Sequence, residues 1–79
     1  MAYDLEAFLR HILAGGNDVT PNGFLGQAVP DHEVPDEFRT FVHELLGHGI
    51  VEDTVQRGRR ASMPARVRVT SLGRQMIGA

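Results

Sequence analysis

The stretch Pro35-Asp36-Glu37-Phe38-Arg39-Thr40-Phe41-Val42-His43-Glu44-Leu45-Leu46-Gly47-His48-Gly49-Ile50-Val51-Glu52-Asp53-Thr54-Val55 changes its apolar period at one glycine. Before Gly49, the residues Phe38, Phe41, Val42, Leu45 and Leu46 recur at i, i+3, i+4, i+7 and i+8, which is one face of an amphipathic helix. After it, the β-branched run over residues 50–55 reads as a strand. Proline suits the first helical position, and Asp36 and Glu37 complement the positive end of the helix, so the spacing predicts a helix over about residues 35–47. Glycine at 49 permits positive φ, which lets Ile50 touch the last helical turn as a Schellman cap does.

Working outward, Ala65-Arg66-Val67-Arg68-Val69 alternates strictly, with the valines on one face and the arginines on the other. The two strands are expected to pair as an antiparallel hairpin. Its tip is Arg57-Gly58-Arg59-Arg60-Ala61-Ser62-Met63-Pro64, too rich in charge, glycine and proline to extend either strand. Thr70 or Ser71 can cap a short terminal helix with Leu72, Met76 and Ile77 facing inward.

Upstream, Leu5, Phe8, Leu9, Ile12 and Leu13 mark a first amphipathic helix. Asp4 is its N-cap, Tyr3 can staple onto Phe8, and Gly15-Gly16 stops it. After the connection Asn17-Asp18-Val19, Thr20-Pro21 signals an N-cap and first turn, giving a short second helix over about residues 21–28. Phe24, Leu25, Ala28 and Val29 form its apolar side, and Gly23 and Gly26 weaken it by roughly 1 kcal/mol each. Pro30 and the loop Asp31-His32-Glu33 lead into the third helix.

The 79 residues make one small α+β domain, residues 1–79, with no repeat and no linker. A hydrophobic fraction of 42% and a charged fraction of 23% are ordinary for a globular chain. A domain of this size buries only about 60% of the surface its unfolded chain exposes, which leaves no room for a large enclosed active site. No cysteine means no disulfide frame and no thiolate chemistry. No apolar run approaches the roughly 18 residues needed to cross a bilayer, and no secretory leader is evident. The expectation is a soluble, cytoplasmic protein.

The net charge of −2 conceals a division: residues 1–53 sum to −8 and residues 54–79 to +6, with arginine as the sole base. Either the basic end meets an anionic partner, or the two ends neutralise each other in the folded domain.

The order of elements is similar to a winged helix-turn-helix domain. Leu45-Leu46-Gly47-His48-Gly49-Ile50-Val51 resembles the L-x-x-x-G-L-I/V turn after the recognition helix of MarR- and PadR-type regulators, and Val69-Thr70-Ser71-Leu72-Gly73-Arg74 resembles their L-T-x-x-G-R. Thr20 to Leu25 stands where that family has its second helix. The resemblance covers residues 20–77. It implies three helices followed by a two-stranded antiparallel β-hairpin wing and a short C-terminal helix, and it implies transcriptional regulation by binding double-stranded DNA. Homodimerisation is common in such regulators; this chain lacks the long extra helices through which MarR-type proteins pair, but helix 1 or the terminal helix can substitute, so a homodimer stays among the expected partners.

In that reading the wing carries five guanidinium groups, Arg57, Arg59, Arg60, Arg66 and Arg68, within twelve residues. Guanidinium forms bidentate bonds to phosphate and enters narrow minor grooves. On the third helix Arg39, Thr40 and His43 can reach base edges. Yet Asp31, Glu33, Asp36, Glu37 and Glu44 crowd the same region and oppose a phosphodiester, which makes the wing the stronger contact. The resemblance adds Thr20 and Asn22 as phosphate contacts. The acidic helix also supports an alternative, a winged-helix protein–protein interaction module acting as an adaptor or inhibitor.

Three motifs carry less. His43-Glu44-Leu45-Leu46-Gly47-His48 resembles H-E-x-x-H, but its second histidine is one position late, and i and i+5 diverge by about 140° around a helix. Arg59-Arg60-Ala61-Ser62 resembles a basic kinase site, and Gly23-Phe24-Leu25-Gly26 lacks the spacing of a phosphate loop. His11 and His32 read as structural or exposed. No nucleophile–base pair is apparent, so no enzymatic activity, metal or cofactor is expected.

Overall fold

The computed structural model describes residues 3–26, 29–55 and 63–79. In chain order the elements are α1 (Leu5–Ala14), a 3-10 turn (Pro21–Leu25), a second 3-10 turn (Asp31–Glu33), α2 (Asp36–Gly47), β1 (Val51–Asp53), β2 (Val67–Val69) and α3 (Ser71–Ile77). The two strands pair antiparallel with Val51 opposite Val69, Glu52 opposite Arg68 and Asp53 opposite Val67.

Helix α1 begins where Asp4 accepts a hydrogen bond from the Ala7 amide at 3.1 Å. Helix α2, the third helix of the sequence reading, ends as its glycine suggested. Gly49 has φ +73°, its amide donates to Leu46 O at 3.2 Å, and the Ile50 amide donates to Leu45 O at 3.0 Å. Those two bonds form a Schellman cap, and they deliver Ile50 straight into β1. Gly16 and Asn17 close α1 with the same pair of bonds, to Leu13 O and Ile12 O.

The core lies where α1 and α2 meet the inner face of the hairpin. Phe8, Leu9 and Ile12 come from α1, Phe38, Phe41, Val42 and Leu45 from α2, and Ile50, Val51, Val67 and Val69 from the hairpin and its approach. Val34 and Met63 complete it from the loops. Phe8 sits at the centre, edge-on to Phe24, Phe38 and Phe41 at centroid distances of 5.1, 5.9 and 5.3 Å. Such edge-to-face pairs add to the burial of ring area, which is the main source of stability in a chain this short.

Three expectations are corrected. The second helix is a 3-10 turn over Pro21–Leu25, and residues 27 and 28 of its expected span lie outside the described residues. Gly26 turns out of it with φ +102°, the Thr20 side chain makes no capping bond, and Asn22 draws the chain across by donating to Val29 O at 2.8 Å. Tyr3 packs against α2 instead of stapling α1, with its ring edge-on to Phe38 at 5.2 Å and tilted to Phe41 at 5.5 Å. Leu72 and Met76 face outward, at 47% and 49% exposure, because the side of α3 turned to the hairpin is that of Gly73. A β-carbon there would lie 2.5 Å from Ile50 O and 2.7 Å from a Val69 methyl, so only glycine lets α3 approach so closely.

Phe8→Ala is expected to cost about 3–5 kcal/mol, a large part of the total stability of so small a domain, and urea denaturation will read it. At the end of α2, Gly49→Ala should destabilise by about 1–2 kcal/mol because it forces a β-carbon into the left-handed region. Gly47→Ala, inside the helix and in open space, should stabilise by about 0.5–1 kcal/mol. Equal shifts for the two variants would refute this account of the turn.

Candidate nucleic-acid interface

Strand β2 separates two chemistries by its pleat. Val67 and Val69 point into the core at 0% and 3% exposure, so Arg66 and Arg68 point out. For the outward face to keep one orientation, both edges of the strand must be held. One edge pairs with β1, and beyond the strand proper the Thr54 amide still donates to Arg66 O at 3.1 Å.

The other edge is held by Asn17-Asp18-Val19, which the sequence reading took for a plain connection. Val19 forms an isolated antiparallel bridge with Val67, with N–H···O distances of 3.1 and 2.8 Å in the two directions. Asn17, at φ +59°, uses its side-chain amide like a piece of backbone. Its Oδ1 accepts from the Val69 amide at 2.7 Å, and its Nδ2 lies 3.4 Å from Val69 O. Asp18, between them, faces out and binds Arg66.

Arg68 on β2 and Arg66 just before it therefore each meet an acid. Arg66 Nε donates to Asp18 Oδ1 at 3.1 Å and its terminal nitrogen donates to Asp18 O at 2.9 Å. Arg68 Nε donates to the carboxylate of Glu52, its cross-strand partner. Thr54 Oγ1 also donates to Asp18 Oδ1, at 2.9 Å. The Thr54 bond first, then the Arg66 bond, hold the Asp18 carboxyl below its ordinary pKa of 3.8. Part of the charge division along the chain is thus neutralised within the fold, and all four side chains of these two pairs remain about half exposed.

The other predicted site residues divide. Arg57, Arg59 and Arg60 lie outside the described residues. On α2, Thr40 and His43 are exposed, but Arg39 folds back to donate to Asp36 Oδ1 at 2.6 Å, with a second nitrogen 3.4 Å from Val34 O. Asp36, Glu37 and Glu44 are exposed on the same helix. Thr20 is exposed, whereas Asn22 is 4% exposed and its side-chain amide donates to Val29 O.

Among the described residues no group of three His, Cys, Asp or Glu side chains is placed to hold a metal ion, and no helix is long and apolar enough to cross a membrane. His11 rests against the Phe24 ring at 5.5 Å. Comparison of the chain with protein-family models, with curated proteins and with solved structures finds no match. The sequence reading missed Asn17, Asp18 and Glu52. The only available signal for Glu52 was its place opposite Arg68 once the hairpin register is drawn.

Asn17→Ala is expected to cost about 1–3 kcal/mol in urea denaturation, because it strands the Val69 amide and leaves alanine at positive φ. The folded-state pKa of Asp18 lies below its unfolded value. Its contribution is therefore complete above about pH 4 and is lost as pH falls through the folded value. In an acid titration of stability, the gap between the parent chain and Asp18→Asn should be constant at neutral pH and should close in that acid window. A gap independent of pH would contradict the Asp18 bonding.

Proposed function

We propose that this chain is a small DNA-binding domain of the winged-helix kind, acting as a cytoplasmic transcriptional regulator and gripping duplex phosphates through its hairpin. The observation that carries the reading is the outward face of β2 and the residue before it, where Arg68 and Arg66 stand exposed beside a strand fixed along both edges. In sequence Arg57, Arg59 and Arg60 precede these residues. An element order compatible with a winged helix supports it.

The two ion pairs do not oppose this reading. Exposed pairs contribute little to stability because water solvates both partners, so a phosphate can replace the carboxylate at modest cost. Phosphate also accepts the bidentate guanidinium bond that carboxylate accepts. Helix α2 contributes less. Its exposed acids repel a polyanion, and Arg39 is engaged with Asp36, so binding is led by phosphate contacts more than by base reading. The acidic exposed face of α2 favours a second reading, in which that face meets a basic protein partner.

Removing the competing acids separates the wing mechanism from a passive surface. Asp18→Asn with Glu52→Gln should tighten binding to a random-sequence duplex several-fold. Arg66→Ala with Arg68→Ala should weaken it by about tenfold or more and reduce the salt slope by about 2. Fluorescence anisotropy at fixed salt reads both. Unchanged affinity in both double variants would exclude the Arg66 and Arg68 face from binding.

A further inference from the structure

A shallow groove of about 510 Å³ runs between the base of the hairpin and the start of α3, on residues that the DNA reading leaves mostly unused. Glu52 and Arg68 line one side, and Ser71, Leu72 and Arg74 line the other. The Glu52 carboxylate is bound by Arg68. Arg74 is exposed and makes no ion pair among the described residues, which leaves the groove with a net positive charge. Beside it Leu72 and, one turn along the same face, Met76 are the two most exposed large apolar side chains described.

We propose that this groove docks an acidic, amphipathic segment of a partner protein, with a carboxylate on Arg74 and an apolar side chain on Leu72, both of which line it. Charge complementarity selects the occupant. Residues 54–79 contain no acid at all, so nothing on α3 repels a carboxylate. A nucleic-acid backbone would satisfy Arg74 but gain nothing from Leu72, whose burial favours an apolar contact by about 25 cal/mol per Å². A second copy of this chain offers acids on α2, but the large apolar residues Phe38, Phe41, Val42 and Leu45 of that helix are already buried. The site shares Arg68 with the DNA reading, but Arg74 and Leu72, which would hold the partner, and Arg66, which would hold DNA, lie apart, so the two are separable by mutation.

The test uses the full chain, labelled with 15N, and a short synthetic peptide with glutamates beside leucines at helical spacing. Saturable amide shifts are expected at Arg68 and through α3. Arg74→Glu should weaken the peptide by about tenfold, the cost of facing a carboxylate with its own charge. Leu72→Asp should weaken it as well, whereas Arg66→Ala should leave it unchanged. Both Leu72 and Arg74 are exposed, so the variants keep the core intact, and their unperturbed spectra outside α3 verify this. Absence of shifts, shifts confined to the Arg66 face, or indifference to Arg74→Glu would overturn the proposal. So would a DNA duplex moving the α3 amides in place of the peptide, or dilution moving them in the free protein, which would assign the groove to nucleic acid or to a second copy.

Discussion

Everything in this molecule depends on β2 being hydrogen-bonded along both edges. Val67 is fully buried, and a buried strand with an unpaired edge leaves backbone groups desolvated and unsatisfied, at about 1–3 kcal/mol for each. Strand β1 supplies one edge and Asn17-Asp18-Val19 the other. With both edges taken, the strand cannot slip by one residue without exchanging its buried valines for its arginines. The outward charge and the inward core are two results of one constraint.

A second node makes that arrangement reachable in few residues. The cap at Gly49 turns the chain from α2 into β1, and the Ile50 carbonyl then receives the Thr70 amide at 3.1 Å as β2 ends. The Thr70 hydroxyl lies 2.5 Å from Gly49 O and 2.9 Å from Ile50 O, and it accepts from the Gly73 amide at 3.2 Å to begin α3. One residue thus joins the end of α2, the hairpin and the last helix. Arg10 ties the far end of α3 back to α1 through Ile77 O at 3.1 Å.

Much of this was legible in the sequence wherever a local rule decided it. The helical spacing of α1 and α2, the Asp4 cap, Gly49 and the alternation of β2 each depend on neighbours close in the chain. The misreadings came where distant contacts decided. The side chains of Leu72 and Met76 have helical spacing with Ile77, but which face turns inward is set by Gly73 meeting Ile50, and periodicity cannot tell that face from its opposite. Asn17-Asp18-Val19 reads as a connection because a one-residue bridge has no period. Arg66 and Arg68 were legible as outward-facing, but their pairing with Asp18 and Glu52 required the strand register and a residue 48 positions away.

The net charge of −2 understates the polarity of the fold, since the hairpin face carries guanidinium groups that are paired yet about half exposed. The most direct measurement is a salt titration of the parent chain on a random-sequence duplex. If two to five arginines engage phosphates, the logarithm of the association constant should fall with the logarithm of salt concentration at a slope of about −2 to −4.5. No retention of the duplex at low salt, or a slope near zero, would contradict binding through the arginine face.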